Sequence, residues 1–317
     1  MTVSPPPRNE PRPLTRRDLL RALAALALGL PADAGAAGAA SGPATAGAEL
    51  RIVTGVSTEA TAEIVGALTR RFASAVAGED MRLLAARSGA GLYLAVGPAA
   101  LQAALNADVP GTVVSAFVSS EAFRRLRASV PARTRPLTGV YAEASPAAQM
   151  QLIHHLYRRR VTVGVLLGAA SRQLQPAIER AADAADLAVS FVEVHAGENP
   201  VRSLAALSSA SVLLAVPDPE LYNAEVARAI LESTYRRRQG VIGFSKSMVS
   251  AGMLGAAYAT LDDIVAQLDV MIEGLLAGQV IEPQYPSFWR VAINESVARS
   301  LDITVDAGTR ALGNFPG

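Results

Sequence analysis

Gly243-Phe244-Ser245-Lys246-Ser247 is the segment of this chain best placed to do chemistry. It follows the apolar residues Val241 and Ile242, where a strand-to-helix turn could expose an activated serine. The nucleophile elbow of α/β-hydrolases, however, ends on glycine, and here the fifth position is Ser247. That triad also runs serine, acid, histidine along the chain, and no histidine follows His195. Catalysis at Ser245 is therefore not expected, and the chain is read as a non-enzyme. Lys246 is the only lysine and is preceded by serine, so the Gly-Lys-Ser/Thr of a phosphate loop is missing. Nothing beside it in the sequence would depress its pKa for Schiff-base chemistry.

Other reactive patterns also fail. Gly89-Ala90-Gly91 lacks the third glycine of a dinucleotide fingerprint and precedes a strand, so it reads as a turn. His154 and His155 are neighbours on a predicted helix and point about 100° apart. Without cysteine, and without carboxylates at ligand spacing, no metal and no cofactor are expected. The runs Arg158 to Arg160 and Arg236 to Arg238 close predicted helices. There, cations offset the helix macrodipole by about 0.3–1 kcal/mol.

What remains is a set of polar groups at the carboxyl ends of predicted strands. Ser57 and Thr58, Gly97 and Pro98, and Ser119 and Ser120 lie in the first half; Ser171, Asp218 of Pro217-Asp218-Pro219, and Ser245 lie in the second. In open α/β sheets ligands collect outside such ends. Hydroxyls and helix N–H groups hold a carboxylate, and an aspartate holds an ammonium, which suits a zwitterion such as an amino acid. Each of these residues reads equally well as a helix N-cap.

The elements that must position them alternate. Strands are predicted at 50–53, 81–85, 92–96 and 112–117, with helices opening at Thr58, Gly97 and Ser119 or Ser120. Pro136 to Glu143 is extended and apolar, a first crossing into a second unit. There strands are expected at 161–167, 188–194, 212–216, 241–244, 254–260 and 289–293. Helices are expected at 145–156, 171–186, 200–208, 220–235, 261–276 and 295–301, and 304–317 reads as a tail. Such alternation implies parallel sheets covered by helices, in two similar lobes with a cleft between them.

Ahead of these lobes, Thr15-Arg16-Arg17-Asp18-Leu19-Leu20 is a twin-arginine pattern, followed by an apolar stretch to Leu30 and the small-residue site Pro31-Ala32-Asp33-Ala34. The stretch is too short to span a membrane, so 1–34 reads as a Tat-type signal peptide and 35–48 as a flexible linker. The expected product is soluble and periplasmic, with no stable membrane anchor. Removing 1–34 takes five arginines (8, 12, 16, 17, 21) and three acids (Glu10, Asp18, Asp33), which leaves 24 basic and 25 acidic residues. That balance gives no electrostatic footprint for nucleic acid.

Val163-Gly164-Val165-Leu166-Leu167-Gly168, Leu214-Ala215-Val216-Pro217-Asp218-Pro219, Val241-Ile242-Gly243-Phe244-Ser245 and Ala251-Gly252-Met253-Leu254-Gly255-Ala256-Ala257-Tyr258 resemble the ABC-transporter substrate-binding family that includes tryptophan/tyrosine binders. Val291-Ala292-Ile293-Asn294 and Val297-Ala298-Arg299-Ser300-Leu301 resemble its ending, and Ala95-Val96-Gly97-Pro98-Ala99 fits the first lobe more loosely. The resemblance runs from Leu50 to Asp302. It implies a type I periplasmic-binding fold: two Rossmann-like lobes with parallel sheets, three crossovers and a ligand in the cleft. Lobe 1 would comprise 49–140 and 261–285, and lobe 2 would comprise 141–260 and 286–303. It adds Tyr141 and Tyr258, near the hinge, to the candidate site. The short stretch between Met81 and Leu92 departs from the family and alters one expected wall of the cleft. The implied function is capture of a small ligand by a monomer, with hinge bending near Tyr141, Thr260 and Pro286, and delivery to ABC permease subunits. The alternative is presentation of the ligand to a membrane sensor or kinase.

Overall fold

A computed structural model of the chain describes residues 49–316 apart from 56–57, 79–90, 108, 110 and 131–135. The expected signal peptide and linker, Ser57 and the strand at 81–85 lie outside the described residues. Among those described, no helix is long and apolar enough to cross a membrane.

Two sheets organise the molecule. The first is five-stranded, in the order β2-β1-β3-β4-β5, and wholly parallel. Its strands are β1 (Leu50–Thr54), β2 (Val76–Gly78), β3 (Gly91–Val96), β4 (Gly111–Val118) and β5 (Leu137–Tyr141). Helices α1 (Glu59–Arg71), α2 (Gly97–Asn106) and α3 (Ser120–Ala128) connect them. Every residue of β1 and β3 is buried, so β3 reads as a continuous apolar run, and in β1 the buried Arg51 donates to Tyr93 of β3 at 3.0 Å. The edge strand β2 is three residues long and half-exposed, too short to leave a pattern in the sequence.

The second sheet is seven-stranded, in the order β12-β11-β10-β9-β8-β6-β7. It contains β6 (Thr162–Leu167), β7 (Ala188–Glu193), β8 (Val212–Leu214), β9 (Gly240–Gly243), β10 (Gly255–Tyr258), β11 (Trp289–Ile293) and β12 (Gly313–Asn314). Its helices are α4 (Pro146–Tyr157), α5 (Gln175–Ala184), α6 (Pro200–Ser203), α7 (Ala224–Arg236) and α8 (Lys246–Ser250). After them come α9 (Leu261–Leu276), α10 (Glu295–Ser300) and α11 (Ala307–Arg310). The sheet is parallel except at one edge, where β11 and β12 run antiparallel. Residues 304–317, expected as a tail, thus supply a capped helical turn and the last strand. Asp306 accepts the Thr309 N–H at 2.7 Å, and Phe315 stacks on the Arg290 guanidinium at 5.3 Å.

The chain passes between the sheets at 142–145, 259–260 and 285–288. Helix α9 returns to the first sheet, where Ile264, Leu268, Met271 and Ile272 share a core with Ile52, Ile64, Leu68 and Leu94. After it, Gln284 pairs with Val140 as a one-residue extension of the first sheet. Two side chains clamp these passages. Gln149 of α4 makes both bonds to the Ala257 backbone, at 2.7 and 2.9 Å. Asp263, fully buried, closes a capping box with Thr260 and receives Arg290 through Nε at 2.9 Å and Nη2 at 2.5 Å. That bond holds the Arg290 pKa above its ordinary value.

Asp263 therefore joins the second passage to the strand that follows the third. Replacing it by alanine leaves the partly exposed Arg290 without its acceptor and uncaps α9. Asp263→Ala should lower unfolding free energy by about 2–4 kcal/mol, and Thr260→Ala by about 1, measured by urea titration. Equal stability of Asp263→Ala and the unaltered protein would refute the clamp.

Candidate functional site

A cavity of about 360 Å³ lies between the two sheets, at the carboxyl ends of their strands. From the first lobe it is lined by Pro98, Phe117, Ser119, Glu121, Ala122 and Arg125. Ala142, Glu143, Tyr258 and Ala259 of the passages line its floor, and the second lobe brings Pro217, Asp218, Pro219, Tyr222, Asn223, Ala224, Phe244, Ser245 and Lys246.

Of the residues singled out from sequence, Pro98, Ser119, Asp218, Ser245 and Tyr258 come together here. Thr58 caps α1, accepting the Thr61 N–H at 3.1 Å, and is exposed outside the lining. Gly97 is buried behind Pro98, at φ +83°, where the chain turns from β3 into α2 and a side chain would be strained. Tyr141 is buried in an aromatic cluster, 5.5 Å from the Phe123 ring and 4.9 Å from Tyr285, so its ring supports the floor without lining it.

Ser171 also stands behind the wall. Its hydroxyl donates to Asp218 Oδ2 at 2.7 Å and accepts the Gly168 N–H at 2.9 Å. Asp218 Oδ1 takes the Glu220 N–H at 3.1 Å, and only 2% of the residue is exposed. A methyl group on Gly168 would lie 2.7 Å from Asp218 Oδ2, so glycine is needed for the close approach. The turn 218–222, built on Asp218, explains why the helix expected from 220 begins only at Ala224. Buried Tyr222 sits beside Asp218, and desolvation and that charge together raise its pKa.

Ser245 is the N-cap of α8, with Oγ 3.4 Å from the Met248 N–H and 2.9 Å from Ser247 Oγ. No histidine is among the lining residues described.

Among the lining residues that escaped the sequence reading, three are buried groups with a structural consequence. Phe117 has φ +59°, rare for a bulky side chain, at an irregularity in the β4–β5 register between Ala116 and Val118. Such a bulge re-aims a side chain, and nothing in Thr112 to Phe117 announces it. Glu121 sits in the first turn of α3, 2% exposed, and accepts from Arg125 Nε at 2.9 Å. Its four-residue spacing to Arg125 was a legible signal.

Glu143 is the third, buried at the first passage, with Oε1 and Oε2 3.0 and 3.2 Å from the Ser120 N–H. Burial raises its pKa above the ordinary carboxylate range, and the bonds to Ser120 only partly offset this. A raised folded-state pKa means that the carboxyl contributes stability at low pH. That contribution is lost as pH rises through the folded value. Glu143→Gln keeps an acceptor for Ser120 without the charge. Its unfolding free energy relative to the unaltered protein should increase from about pH 4 to about pH 8, followed by urea titration. Parallel pH profiles for the two proteins would remove Glu143 as the cause.

Asp218 gives a second test. Asp218→Ala strips the acceptor from the Ser171 hydroxyl and the Glu220 N–H, and should cost about 1–3 kcal/mol. A loss below about 0.5 kcal/mol in chemical unfolding would show that the turn does not depend on it.

No protein-family model and no curated protein sequence matches the chain. Solved structures do. The ABC domain from Streptococcus pneumonia in complex with L-Trp aligns over 83% of this chain and 97% of that one, with 18% identity and a TM-score of 0.53. A substrate-binding protein with adhesive properties from Clostridium difficile, in its ligand-free, open structure, aligns over 83% and 97%, with 14% identity and a TM-score of 0.60. A conserved domain protein from Vibrio cholerae aligns over 83% and 98%, with 16% identity and a TM-score of 0.55. With its two β–α lobes and three passages between them, the chain has the type I fold of periplasmic binding proteins.

Proposed function

We propose that the chain is an exported, non-enzymatic solute-binding protein whose lobes close on a small ligand and present it to an ABC transporter. The observation that carries this reading is the 360 Å³ cavity lined from both lobes and floored by the passages between them. A ligand there touches both lobes at once, so it favours the closed arrangement by whatever affinity it gains on closure. Bending at the passages is the motion this fold offers, since few backbone connections need to change. The shared fold with a domain solved in complex with L-Trp, and with a substrate-binding protein solved open, supports the same reading.

Most of the lining is apolar or aromatic, with a few polar groups at fixed places, the usual make-up of a small-molecule site. Ser245 acts in this reading as a hydrogen-bonding group.

A thermal-shift screen of the full chain against amino acids, organic acids and neutral solutes tests the proposal. A ligand at 100-fold over its Kd stabilises by about 2.7 kcal/mol, so a true ligand should raise Tm by roughly 5 °C. No shift with any solute would overturn the reading. Permease genes beside this one would support delivery to a transporter; a neighbouring sensor kinase would instead assign ligand presentation.

A further inference from the structure

The polar groups of the cavity differ in what they can still offer a ligand. Ser119, Asn223 and Ser245 are helix caps, and capping engages the side-chain oxygen as an acceptor. Ser119 Oγ takes the Ala122 N–H at 3.2 Å, Asn223 Oδ1 the Val226 N–H at 3.0 Å, and Ser245 Oγ the Met248 N–H at 3.4 Å. Ser119 and Asn223 keep donors, a hydroxyl hydrogen and an NH₂, while the Ser245 hydroxyl also pairs with Ser247 Oγ at 2.9 Å. The carboxylates have the opposite standing. Glu121 accepts from Arg125, Asp218 from Ser171 and Glu220, and Glu143 from Ser120. The cavity therefore presents donors, while each of its carboxylates already accepts at least one bond from the protein.

Arg125, one cation of the lining, is paired with Glu121 within α3, and Lys246 supplies the second charge. It is the one lysine among 29 basic residues, and it stands in the lining, at the first turn of α8. Its ammonium is a compact point charge with three donors, so it can hold a ligand oxygen alongside an internal partner.

We infer that the cavity takes a small organic anion, its carboxylate held by Lys246 from lobe 2 and by the Ser119 hydroxyl from lobe 1. No ammonium is required of the ligand. This rests on the solute-binding reading above and narrows it. The zwitterion suggested by the sequence would need Asp218 for its ammonium, and both Asp218 oxygens are engaged within lobe 2.

Isothermal titration of the full chain with matched pairs tests this: hexanoate against hexanamide, and 3-phenylpropionate against 3-phenylpropionamide, with hexylamine and 2-phenylethylamine as cations. At least one acid should bind roughly 10- to 100-fold tighter than its amide, the worth of one charge-assisted contact. Lys246→Gln should remove that preference, the acid losing more affinity than the amide. Failure of both acids to bind, equal binding of acid and amide, preference for an amine, or an acid preference that survives Lys246→Gln would each overturn the assignment. The acid–amide comparison uses the unaltered protein, so it stands whatever Lys246→Gln does to folding. Binding of amines or neutral solutes alone would remove the anion assignment and leave the solute-binding reading in place.

Discussion

The bond from the Ser120 amide to the buried carboxylate of Glu143 is the contact on which the geometry of the cleft depends. It ties the first passage between sheets to the start of α3 in lobe 1. The backbone of Glu143 bridges to Tyr258, where the second passage begins. Tyr285, at the third passage, donates to Ser120 Oγ at 3.4 Å. The three connections thus meet at one point on lobe 1. A carboxylate buried here is costly unless it is bonded, and its raised pKa records that the bonds do not fully compensate. The molecule carries this expense where its connections must converge, and lobe 2 then hangs from a compact joint.

From that joint follows the double role of the cleft residues. Strands that end at a common edge deliver their following helices to it, and each helix start has N–H groups to satisfy. Ser119, Asn223 and Ser245 satisfy them as caps. The same side chains line the cavity, because the cap of a helix following a parallel strand stands at the strand's carboxyl end. Capping and ligand contact are therefore compatible uses of different atoms on one residue. The oxygen serves the helix, and on Ser119 and Asn223 the hydrogens remain for another partner.

Much of the fold was legible because buried parallel strands are simple signals. Val163 to Leu167 and Leu92 to Val96 stand where continuous apolar runs placed them, and α9 begins and ends at Leu261 and Leu276 as expected. Short or irregular pieces were not legible. Strand β12 has two residues and exists only because β11 offers an edge. The helix expected over 171–186 divides into a 3₁₀ turn, Arg172–Leu174, and α5, because Pro176 has no N–H to continue a preceding turn. The site shows the same division. Asp218 and Ser245 announced themselves at strand ends, but Glu143 sat in a segment read only as a crossing, and Phe117 acquires its direction from a tertiary bulge. The walls came from periodicity; the floor came from contacts between distant segments.

Identities of 14–18% alongside a retained fold fit this division of labour. The cores are made mostly of Ala, Val, Leu and Ile, and cores of this kind accept many hydrophobic exchanges if volume and pattern persist. Caps are similarly exchangeable among Ser, Thr, Asn and Asp. Neither requirement fixes what the cavity binds. In the solute-binding reading, ligand choice falls to lining groups such as Lys246, the donors of Ser119 and Asn223, and the aromatic faces of Phe117 and Phe244. A chain can thus keep this architecture at low identity, because neither its cores nor its caps demand one particular side chain.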